Sequence, residues 1–492
     1  MTDTPSAASS AIPLPDEDAL ASLLVEPGSR DDIAPHIPLY VISSLEEASA
    51  LLEPDACEAL GNWSKAQAFE AKPGQTLVLP NGQGAIVAAF VGASKTDEGL
   101  ADPGFDFGRL ASALPAGTYA LKSSLASADV ALTAFLLGAY TFTRFKAPKR
   151  EPVRLITDLP ERDQALIEAR GVMFARDLIN TPTNILGPDA LGASATGLAE
   201  AFSAQSSVIV GDHLLDSDNP FPMIHTVGRA SDQAPRLFDM RWNGADVDAP
   251  SLTLVGKGVC FDSGGLNIKP GNSMALMKKD MGGSACVLGL ALMIMQAKLP
   301  VRLRVLVPIV ENSISAGAFR PGDVLESRKG LTVEIGNTDA EGRLILADAL
   351  ALADEESPDL LIDMATLTGA ARVALGPDLP PFFTDDGDLA AEIERTGEAV
   401  DDPVWRMPLW PRYEKAISGK VGDVSNTGSM PFAGAITAAL FLKRFVEKTR
   451  SWVHFDVYGW TPSSRPGRPE GGEAQAIRLL FNLVRKRCLS PD

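Results

Sequence analysis

Three short segments between residues 256 and 344 concentrate carboxylates, lysines and glycines. Carboxylate oxygens are ligands that divalent cations prefer, and paired glycines let the backbone approach a bound ion closely. Four carboxylates carry a charge of −4, which would offset two divalent cations, as a two-metal hydrolytic site requires. The segments are GKGVCFDSGGLNIKP (256–270), KKDMGGSA (278–285) and NTDAEGRL (337–344). They carry Lys257, Asp262, Lys269, Asp280, Asp339, Glu341 and Arg343.

The third segment places Asp339, Glu341 and Arg343 at alternate positions. In extended backbone alternate residues share a face, so we expect these three side chains to point into one cleft. A surface interpretation stays open for each segment taken alone. In a chain with 63 acidic residues, an Asp-x-Glu pair is usually solvated, and a lysine beside an aspartate is usually a surface ion pair. The closeness of three such segments, each next to a predicted strand or helix start, favours a metal cleft.

Several familiar kinds of site are missing from the sequence. There is no HExxH motif for a histidine-based zinc peptidase, and no GxSxG nucleophile elbow. The segment VGKG (255–258) lacks the spacing of a phosphate-binding loop. The four cysteines are scattered and form no CxxC pair, which argues against a disulfide framework or a structural zinc site. Of the kinds of site considered, only a metal site built from carboxylates and lysine remains.

Composition excludes other classes of function. The chain has 492 residues, 44 of them basic and 63 acidic, and its formal net charge is −19. Nucleic acids and anionic lipids bind basic surfaces, so neither is an expected partner. The longest apolar run, residues 285–295, is shorter than the ~20 residues that cross a bilayer. The first residues lack the basic and apolar regions of a secretory signal, so we expect a cytoplasmic protein.

The elements that must position the three segments lie in a second domain. Residues 1–160 read as a small N-terminal α/β domain, with short apolar stretches between turns and a helix at about 130–142. A linking helix at about 161–180 opens the larger domain, residues 161–492. There, apolar strands alternate with helices, which predicts an α/β catalytic domain with a central sheet covered by helices on both faces. Its predicted strands are 252–258, 301–311, 359–366 and 452–459, and its predicted helices are 284–298, 343–356 and 433–448.

Together these segments closely resemble the leucyl aminopeptidase (cytosol aminopeptidase) family, metallopeptidase family M17. The octapeptide NTDAEGRL matches the signature of that family, and the resemblance covers residues from about 170 to 492, whereas the first 160 residues match no motif. Further matching segments are ARDLINTPTN (175–184), ENSISAGAFRPGDV (311–324), ATLTGAARVALG (365–376) and VWRMPLW (404–410). The resemblance implies a two-metal-ion aminopeptidase that removes the N-terminal residue of peptides, preferably an apolar, leucine-type residue. It also implies a homohexamer.

The resemblance further implies which residues carry the chemistry. Two ions, Mn²⁺ or Zn²⁺, would share Asp262 and Glu341, and Lys257 would bind metal as a neutral amine, with its pKa far below the ordinary ~10.4. Lys269 resembles the catalytic lysine of the family, and Arg343 the arginine that holds a bicarbonate acting as general base. The implied metal ligands are Lys257, Asp262, Asp280, Asp339 and Glu341.

The pocket for the first residue of the substrate is where the chain departs from the family. Residues 456–459 read Asp-Val-Tyr-Gly, where relatives usually have Asp-Ile-Ala-Gly. Tyr458 therefore predicts a pocket that is shorter or more polar than the leucine type, unless its ring points into the core. The implied substrate-binding residues are Met277, Thr366, Leu367, Gly369 and Tyr458.

Two other functions stay open at this point. Some relatives in the family also bind nucleic acid as regulators, although the net charge of −19 argues against that role here. An enzyme of narrower scope, such as a dipeptidase for cysteinyl-glycine, would share all the metal-binding residues.

Overall fold

The computed structural model describes residues 11–32, 35–245 and 248–489, and they form two compact units. One unit comprises residues 15–173 and 463–470, and the other comprises the remaining described residues. Helix Arg162–Asn180 begins in the first unit and ends in the second. The prediction that no secretory signal is present concerns in part residues 1–10, which lie outside the described residues. The boundary predicted between residues 160 and 161 stays a prediction.

The smaller unit is built on a six-stranded sheet. Its strands run parallel except where Thr76–Pro80 pairs antiparallel with Ile86–Gly92. The spatial order is Leu24–Val25, Val153–Ile156, Gly117–Leu121, Ile37–Ile42, Ile86–Gly92 and Thr76–Pro80. A short antiparallel pair joins Ser94–Lys95 and Ala101–Asp102. The helices of this unit are Glu17–Ala21, Leu45–Ala50, Pro54–Ala66, Leu110–Ala113 and Ala128–Ala139, with a 3-10 helix at Gly104–Arg109.

The larger unit contains a nine-stranded mixed sheet. Its central strands are parallel and almost wholly buried, as their apolar sequences predict, and antiparallel strands lie toward the edges. The spatial order is Trp405–Arg406, Pro381–Phe383, Trp452–Asp456, Leu360–Ala365, Ser251–Gly256, Arg302–Asn312, Arg236–Asn243 and Gln205–Val210, with Gly258–Asp262 also paired to Arg302–Asn312. Helices flank this sheet, so the predicted two-part α/β fold is confirmed.

The flanking helices include the two that follow the metal-binding segments. Helix Gly282–Gln296 is buried around its whole circumference through Met295, and both this helix and helix Gly342–Glu355 pack on the central strand Ser251–Gly256. The other helices of this unit are Pro188–Ala201, Pro222–Gly228, Gly271–Met274, Gly369–Leu375, Gly387–Ala399, Gly434–Lys443 and Ile477–Leu489, with 3-10 helices at Gly211–Leu215, Met277–Met281 and Pro411–Ile417. None of the helices in the described ranges is long and apolar enough to cross a membrane.

Two small sheets complete the larger unit. One joins Val324–Glu326, Thr332–Glu334 and Val424–Ser425, and the other joins Trp460–Thr461 and Gly471–Gly472. Strands Gln205–Val210 and Arg236–Asn243 were not predicted, because both contain polar residues that interrupt the continuous apolar runs typical of the central strands.

The helix predicted at 433–448 is shorter than expected and ends at Lys443. The backbone N–H groups of Glu447, Lys448 and Thr449 donate to the carboxylate of Asp354 rather than to helix carbonyls, at 2.8–3.0 Å. A carboxylate that accepts three backbone donors offers the chain an alternative to another helical turn. The contact with Asp354 begins four residues after the helix ends and takes the place of the predicted last turn.

The strand predicted at 252–258 is interrupted at one residue. Ser251–Gly256 and Gly258–Asp262 are separate strands, and Lys257 is the single residue between them. Both pair in parallel with the eleven-residue strand Arg302–Asn312, the first along its beginning and the second along its end. Lys257 and Asp262 are thus placed by pairing with one buried strand.

Candidate metal centre

Three carboxylates from distant parts of the sequence meet in the larger unit. Asp262 ends a strand, Asp280 lies in the 3-10 helix Met277–Met281, and Glu341 precedes helix Gly342–Glu355. One oxygen of each lies within 4.8 Å of the other two, and the residues are only 1–4% exposed. Carboxylates buried this closely repel one another and have lost their hydration, so they require positive charge nearby.

Lys257 supplies part of that charge. Its Nζ atom lies 2.7 Å from Asp280 Oδ2 and 3.0 Å from Glu341 Oε1, and it donates a hydrogen bond of 2.9 Å to the carbonyl oxygen of Thr366. Burial alone would lower the pKa of Lys257, but the charges of Asp280, Glu341 and Asp262 outweigh burial and raise it. The neutral amine expected of a metal ligand therefore requires cations that replace this ammonium charge.

Glycine is required at position 342 by the same lysine. A Cβ atom there would stand 2.6 Å from Lys257 Cε and 2.7 Å from its Nζ atom. Such distances are too short for any side chain, so a larger residue would push the lysine out of the carboxylate cluster. The glycine of the octapeptide thus makes room for Lys257.

Lys269 joins a fourth carboxylate to the cluster. Its Nζ atom lies 2.8 Å from Asp262 Oδ2 and 2.6 Å from Asp339 Oδ1. Burial lowers the pKa of Lys269, but Asp262 and Glu341 outweigh burial, and the net shift is upward. Lys269 is therefore a cation in direct contact with two of the predicted ligands.

The octapeptide is not extended, contrary to the expectation that alternate residues share one face. Asp339 lies in a turn, and Arg343 is already in helix Gly342–Glu355. Asp339 and Glu341 still reach the cluster because the turn brings them to it. Arg343 makes no ion pair or hydrogen bond with these carboxylates among the described residues. It donates from Nη1 to the carbonyl oxygen of Asn426 at 2.7 Å.

Of two residues that the sequence did not single out, Asn312 orients Asp262, and Thr338 holds the loop beside it. Asn312 donates from Nδ2 to Asp262 Oδ1 at 2.8 Å and to the carbonyl oxygen of Thr338 at 3.1 Å. The hydroxyl of Thr338 donates to the carbonyl oxygen of Gly264 at 2.6 Å. Thr338 stands inside the octapeptide and Asn312 inside the segment 311–324, so the matching segments already contained the signal.

Thr366 orients the carboxylate of Asp280. Its hydroxyl lies 2.8 Å from Asp280 Oδ1 and 2.9 Å from the carbonyl oxygen of the same residue, while its own carbonyl receives Lys257. Thr366 was predicted as a substrate-binding residue from the resemblance. In the structure it also contacts the carboxylate of Asp280 and the ammonium of Lys257.

Buried oxygens with spare accepting capacity indicate that the cluster fits metal ions. Asp280 Oδ2, Glu341 Oε1 and Asp339 Oδ1 are buried and accept no hydrogen bond within the described part of the chain, and each meets only a lysine ammonium in an ion pair. Burial and the charge of Asp262 raise the pKa of Glu341 to about 8. Burial and Asp280 likewise raise the pKa of Asp262. Divalent cations would supply the charge that these groups lack.

Arg343 is buried beside the cluster and only partly bonded. Its Nε atom has no hydrogen-bond partner among the described residues, and burial lowers the pKa of its guanidinium to about 10. A buried guanidinium with a spare donor is a binding group for a small planar anion. Neither Arg343 nor Glu341 is among the residues that line the cavity at the cluster.

A cavity of about 520 Å³ opens onto the carboxylates. Asp262, Asp280 and Asp339 line it, as do both lysines of the cluster. All of the predicted substrate-binding residues line the same cavity, namely Met277, Thr366, Leu367, Gly369 and Tyr458. Asp456 holds this wall in place, since its Oδ1 atom accepts the backbone N–H groups of Leu367 at 2.9 Å and Thr368 at 3.1 Å.

Tyr458 is half-buried in the cavity wall, and two cations lie over its ring. Lys279 Nζ lies 4.7 Å from the centre of its ring, and the guanidinium carbon of Arg372 lies 5.2 Å from it. Lys279 is 5% exposed, and burial lowers its pKa to about 8. Neither cation was singled out from the sequence. Lys279 adjoins the predicted ligand Asp280, which is the signal that could have drawn attention to it.

Comparisons with known proteins agree with this architecture. Residues 37–158 match the family model described as M17 aminopeptidase, N-terminal domain, and residues 173–481 match that of the cytosol aminopeptidase family, catalytic domain. A probable cytosol aminopeptidase of Syntrophotalea carbinolica is 38% identical over 457 residues, which is 87% of this chain and 91% of the relative. Another from Xanthobacter autotrophicus is 40% identical over 73% of this chain and 74% of its own length.

Solved structures give the same result. The crystal structure of cytosol aminopeptidase from Coxiella burnetii has a TM-score of 0.87 and 40% identity, covering 95% of this chain and all of the other. The bottromycin maturation enzyme BotP in complex with Mn has a TM-score of 0.80 and 30% identity, covering 92% of this chain and all of the other. The protein is a metal-dependent peptidase, a hydrolase that acts on the N-terminal residues of peptides. It belongs to the cytosol aminopeptidase family, M17.

Proposed function

We propose that the chain binds two divalent ions, Mn²⁺ or Zn²⁺, and removes the first residue of peptides, with a preference for apolar residues. The observation that carries the proposal is the buried cluster of Asp262, Asp280 and Glu341, whose oxygens lie within 4.8 Å of one another. The BotP structure, which contains Mn, lends support to manganese. Zinc accepts a mixed set of lysine and carboxylate ligands and remains the second candidate.

The charge balance supports two ions rather than one. Lys257, Asp262, Asp280, Asp339 and Glu341 would together hold the ions. These four carboxylates carry −4, which two divalent cations neutralise. The hydrogen-bonded oxygens of Asp262 and Asp280 are already fixed by Asn312 and Thr366, so their second oxygens are held in defined directions.

Bound divalent ions supply a water molecule of lowered pKa and a polarised substrate carbonyl. Lys269 adds a positive charge at the same carboxylates, where it would stabilise the negative charge that develops on the carbonyl oxygen. Its contacts with Asp262 and Asp339 hold the ammonium in the cavity wall.

Arg343 would hold a bicarbonate ion with its spare Nε donor, while Asn426 fixes the other end of the guanidinium. Bicarbonate supplies a proton acceptor when it is bound. The burial of the arginine supports this role, because a hydrogen bond from a guanidinium to an anion is stronger away from water.

The first residue of the substrate would lie against Met277, Thr366, Leu367, Gly369 and Tyr458. These residues share one cavity with the ligands, and the methionine and leucine side chains offer apolar surface. The charges of four carboxylates and two divalent ions cancel, and the Lys269 ammonium adds a positive charge. An ammonium group gains little there, so we propose that the α-amine must be free and must enter uncharged.

The assembly and location of the enzyme are also proposals. We infer a homohexamer in the cytoplasm. The exposed apolar side chains of Val373, Val421 and Phe432, each at least 74% exposed in the single chain, support contacts between subunits. Native mass spectrometry of the purified protein measures the number of subunits directly.

The decisive experiment compares a leucine-initiated tripeptide with its N-acetyl counterpart, using enzyme loaded with Mn²⁺ or Zn²⁺. We expect release of leucine from the free peptide only. Comparable rates for the two peptides would refute the aminopeptidase mechanism. Cleavage of dipeptides alone would favour the narrower dipeptidase, and retention of duplex DNA on filters at low salt would favour the nucleic-acid-binding alternative.

A further inference from the structure

Lys279 is a buried lysine without a counter-ion inside the catalytic cavity. It is 5% exposed and lines the cavity, yet within the described part of the chain its ammonium makes no ion pair and no hydrogen bond. Its neighbour is the face of the Tyr458 ring, 4.7 Å away. A buried ammonium is costly unless it is paired, and a contact with an aromatic ring offsets only part of that cost.

The acidic residues near Lys279 bond to other residues. Asp280 is bonded to Lys257 and Thr366, and both oxygens of Asp456 accept hydrogen bonds from residues 367 and 368. Neither carboxylate is paired with Lys279. The partner that this ammonium lacks in the protein is therefore one that a ligand in the cavity can provide.

A second cation, Arg372, lies over the same tyrosine ring. Arg372, in helix Gly369–Leu375, lies over the Tyr458 ring at 5.2 Å and also lines the cavity. Tyr458, Met277 and Gly369 form the wall proposed for the side chain of the first residue. Two cations at a tyrosine, next to the apolar side chain of Met277, form a subsite suited to an anionic group at the end of an aliphatic chain.

We propose that Lys279, assisted by Arg372, binds the side-chain carboxylate of an acidic first residue, so that the enzyme removes N-terminal glutamate and aspartate as well as apolar residues. This inference rests on the proposed aminopeptidase function. The apolar stem of glutamate would lie along Met277, and its carboxylate would meet the ammonium. Lys279 is thus a specificity-determining residue and takes no part in bond cleavage.

The test compares leucyl, glutamyl and glutaminyl p-nitroanilides at neutral pH with metal-loaded enzyme. Glutamine has the shape of glutamate without its charge, so the ratio of kcat/KM for glutamyl over glutaminyl substrate isolates the carboxylate. We expect a ratio of about ten or more in the wild type. Lys279→Met should lower that ratio about tenfold, and Arg372→Gln should lower it less, because Arg372 is exposed and its charge is screened.

The matched control is Lys278→Met. Lys278 also lies over an aromatic ring, that of Trp460 at 5.4 Å, but it donates to the carbonyl oxygen of Asn180 and does not line the cavity. Its loss should leave the ratio unchanged. If Lys279→Met fails to fold, the wild-type ratio and the exposed Arg372→Gln variant still decide the question.

The outcomes separate this inference from the function on which it rests. Absence of leucine release by the metal-loaded enzyme refutes the proposed function. Leucine release with no preference for glutamate over glutamine refutes the carboxylate subsite alone. A third arm compares Leu-Gly with Leu-Gly amide, and a tenfold loss confined to Leu-Gly in Lys279→Met would overturn the side-chain assignment in favour of a C-terminal carboxylate.

Discussion

The ammonium of Lys257 lies 2.7 Å from Asp280 Oδ2, and both side chains are buried. The oxygen that receives the lysine is one that we propose as a metal ligand. The lysine is therefore a counter-ion to the carboxylates, which helps to keep three like charges together in the core.

Removal of one carboxylate charge tests the proposed ligand set. Glu341→Gln should lower kcat/KM for leucyl substrate by more than about a hundredfold and reduce the bound metal, because a bridging oxygen loses its charge. Glu355→Gln, on the surface of the helix that follows, is the matched control and should behave as wild type. Metal content by mass spectrometry and circular dichroism separate loss of metal from unfolding. Full activity in Glu341→Gln would exclude it as a ligand.

Chelation tests the number and identity of the ions. Exhaustive dialysis against EDTA should abolish leucine release, and added Mn²⁺ or Zn²⁺ should restore it, since no other group of the cavity supplies the acidic water that hydrolysis needs. Titration followed by metal analysis should reach about two ions per chain, the number that four carboxylates neutralise. Saturation at a single ion would contradict the charge balance, and activity that survives dialysis would contradict metal dependence of this site.

Arg343 should affect turnover more than substrate binding. Arg343→Met removes the buried Nε donor, so we expect kcat to fall about tenfold to a hundredfold with little change in KM. Added bicarbonate should stimulate the degassed wild-type enzyme and leave the variant unaffected. Arg395→Met, on an exposed helix face, serves as control. Equal stimulation of Arg343→Met and wild type would show that bicarbonate acts at another place.

Tyr458 should set the size of the first-residue pocket. Tyr458→Ala removes the ring from the cavity wall, so the preference among Ala, Leu, Met and Phe substrates should shift toward Phe, the largest of them. Tyr458→Phe keeps the ring and should keep the order of preference. An identical order in Tyr458→Ala and wild type would mean that the ring does not contact the substrate.

Asp354 should stabilise the larger unit in a pH-dependent way. Burial raises the pKa of this carboxyl, but three backbone donors outweigh burial and lower it. A lowered folded-state pKa contributes stability above the unfolded value of about 3.9, and that contribution is lost as the pH falls through the folded value. Asp354→Asn should therefore cost about 1–3 kcal/mol at pH 7 and less at pH 3.5.

Thermal midpoints at the two pH values, with exposed Glu394→Gln as control, measure the effect of Asp354→Asn. The gap between wild type and Asp354→Asn should narrow at the lower pH, whereas the control should follow the wild type. A constant gap would show that the carboxylate charge is not what holds residues 447–449.

The sequence indicated much of the fold because the central strands are continuous apolar runs. Strand Arg302–Asn312 and helix Gly282–Gln296 lie within two residues of their predicted bounds, since both are buried on every side and leave a strong hydrophobic pattern. The end of helix Gly434–Lys443 could not be predicted. It depends on Asp354, some 90 residues away in the chain, and such contacts leave no local pattern.

The site shows the same division. Short local segments of the sequence were enough to predict Lys257, Asp262, Asp280 and Glu341 as site residues. The hydrogen bonds that orient these side chains come from residues far away in the chain. Asn312 contacts Asp262 from 50 residues away, and the carbonyl of Thr366 receives Lys257 from more than 100 residues away. The position of Lys279 against Tyr458 likewise appears only when two distant segments pack together.

Strand Arg302–Asn312 couples the metal site to the unfolding of the larger unit. It pairs with Ser251–Gly256 at one end and with Gly258–Asp262 at the other, so Lys257 and Asp262 cannot separate unless the middle of the sheet opens. Amide hydrogen exchange in this strand should therefore require nearly global opening, and metal binding should slow exchange even at residues far from the ions. Unfolding of the core would therefore separate Lys257 from Asp262 and destroy the site, whereas chelation would remove the ions through the cavity without unfolding.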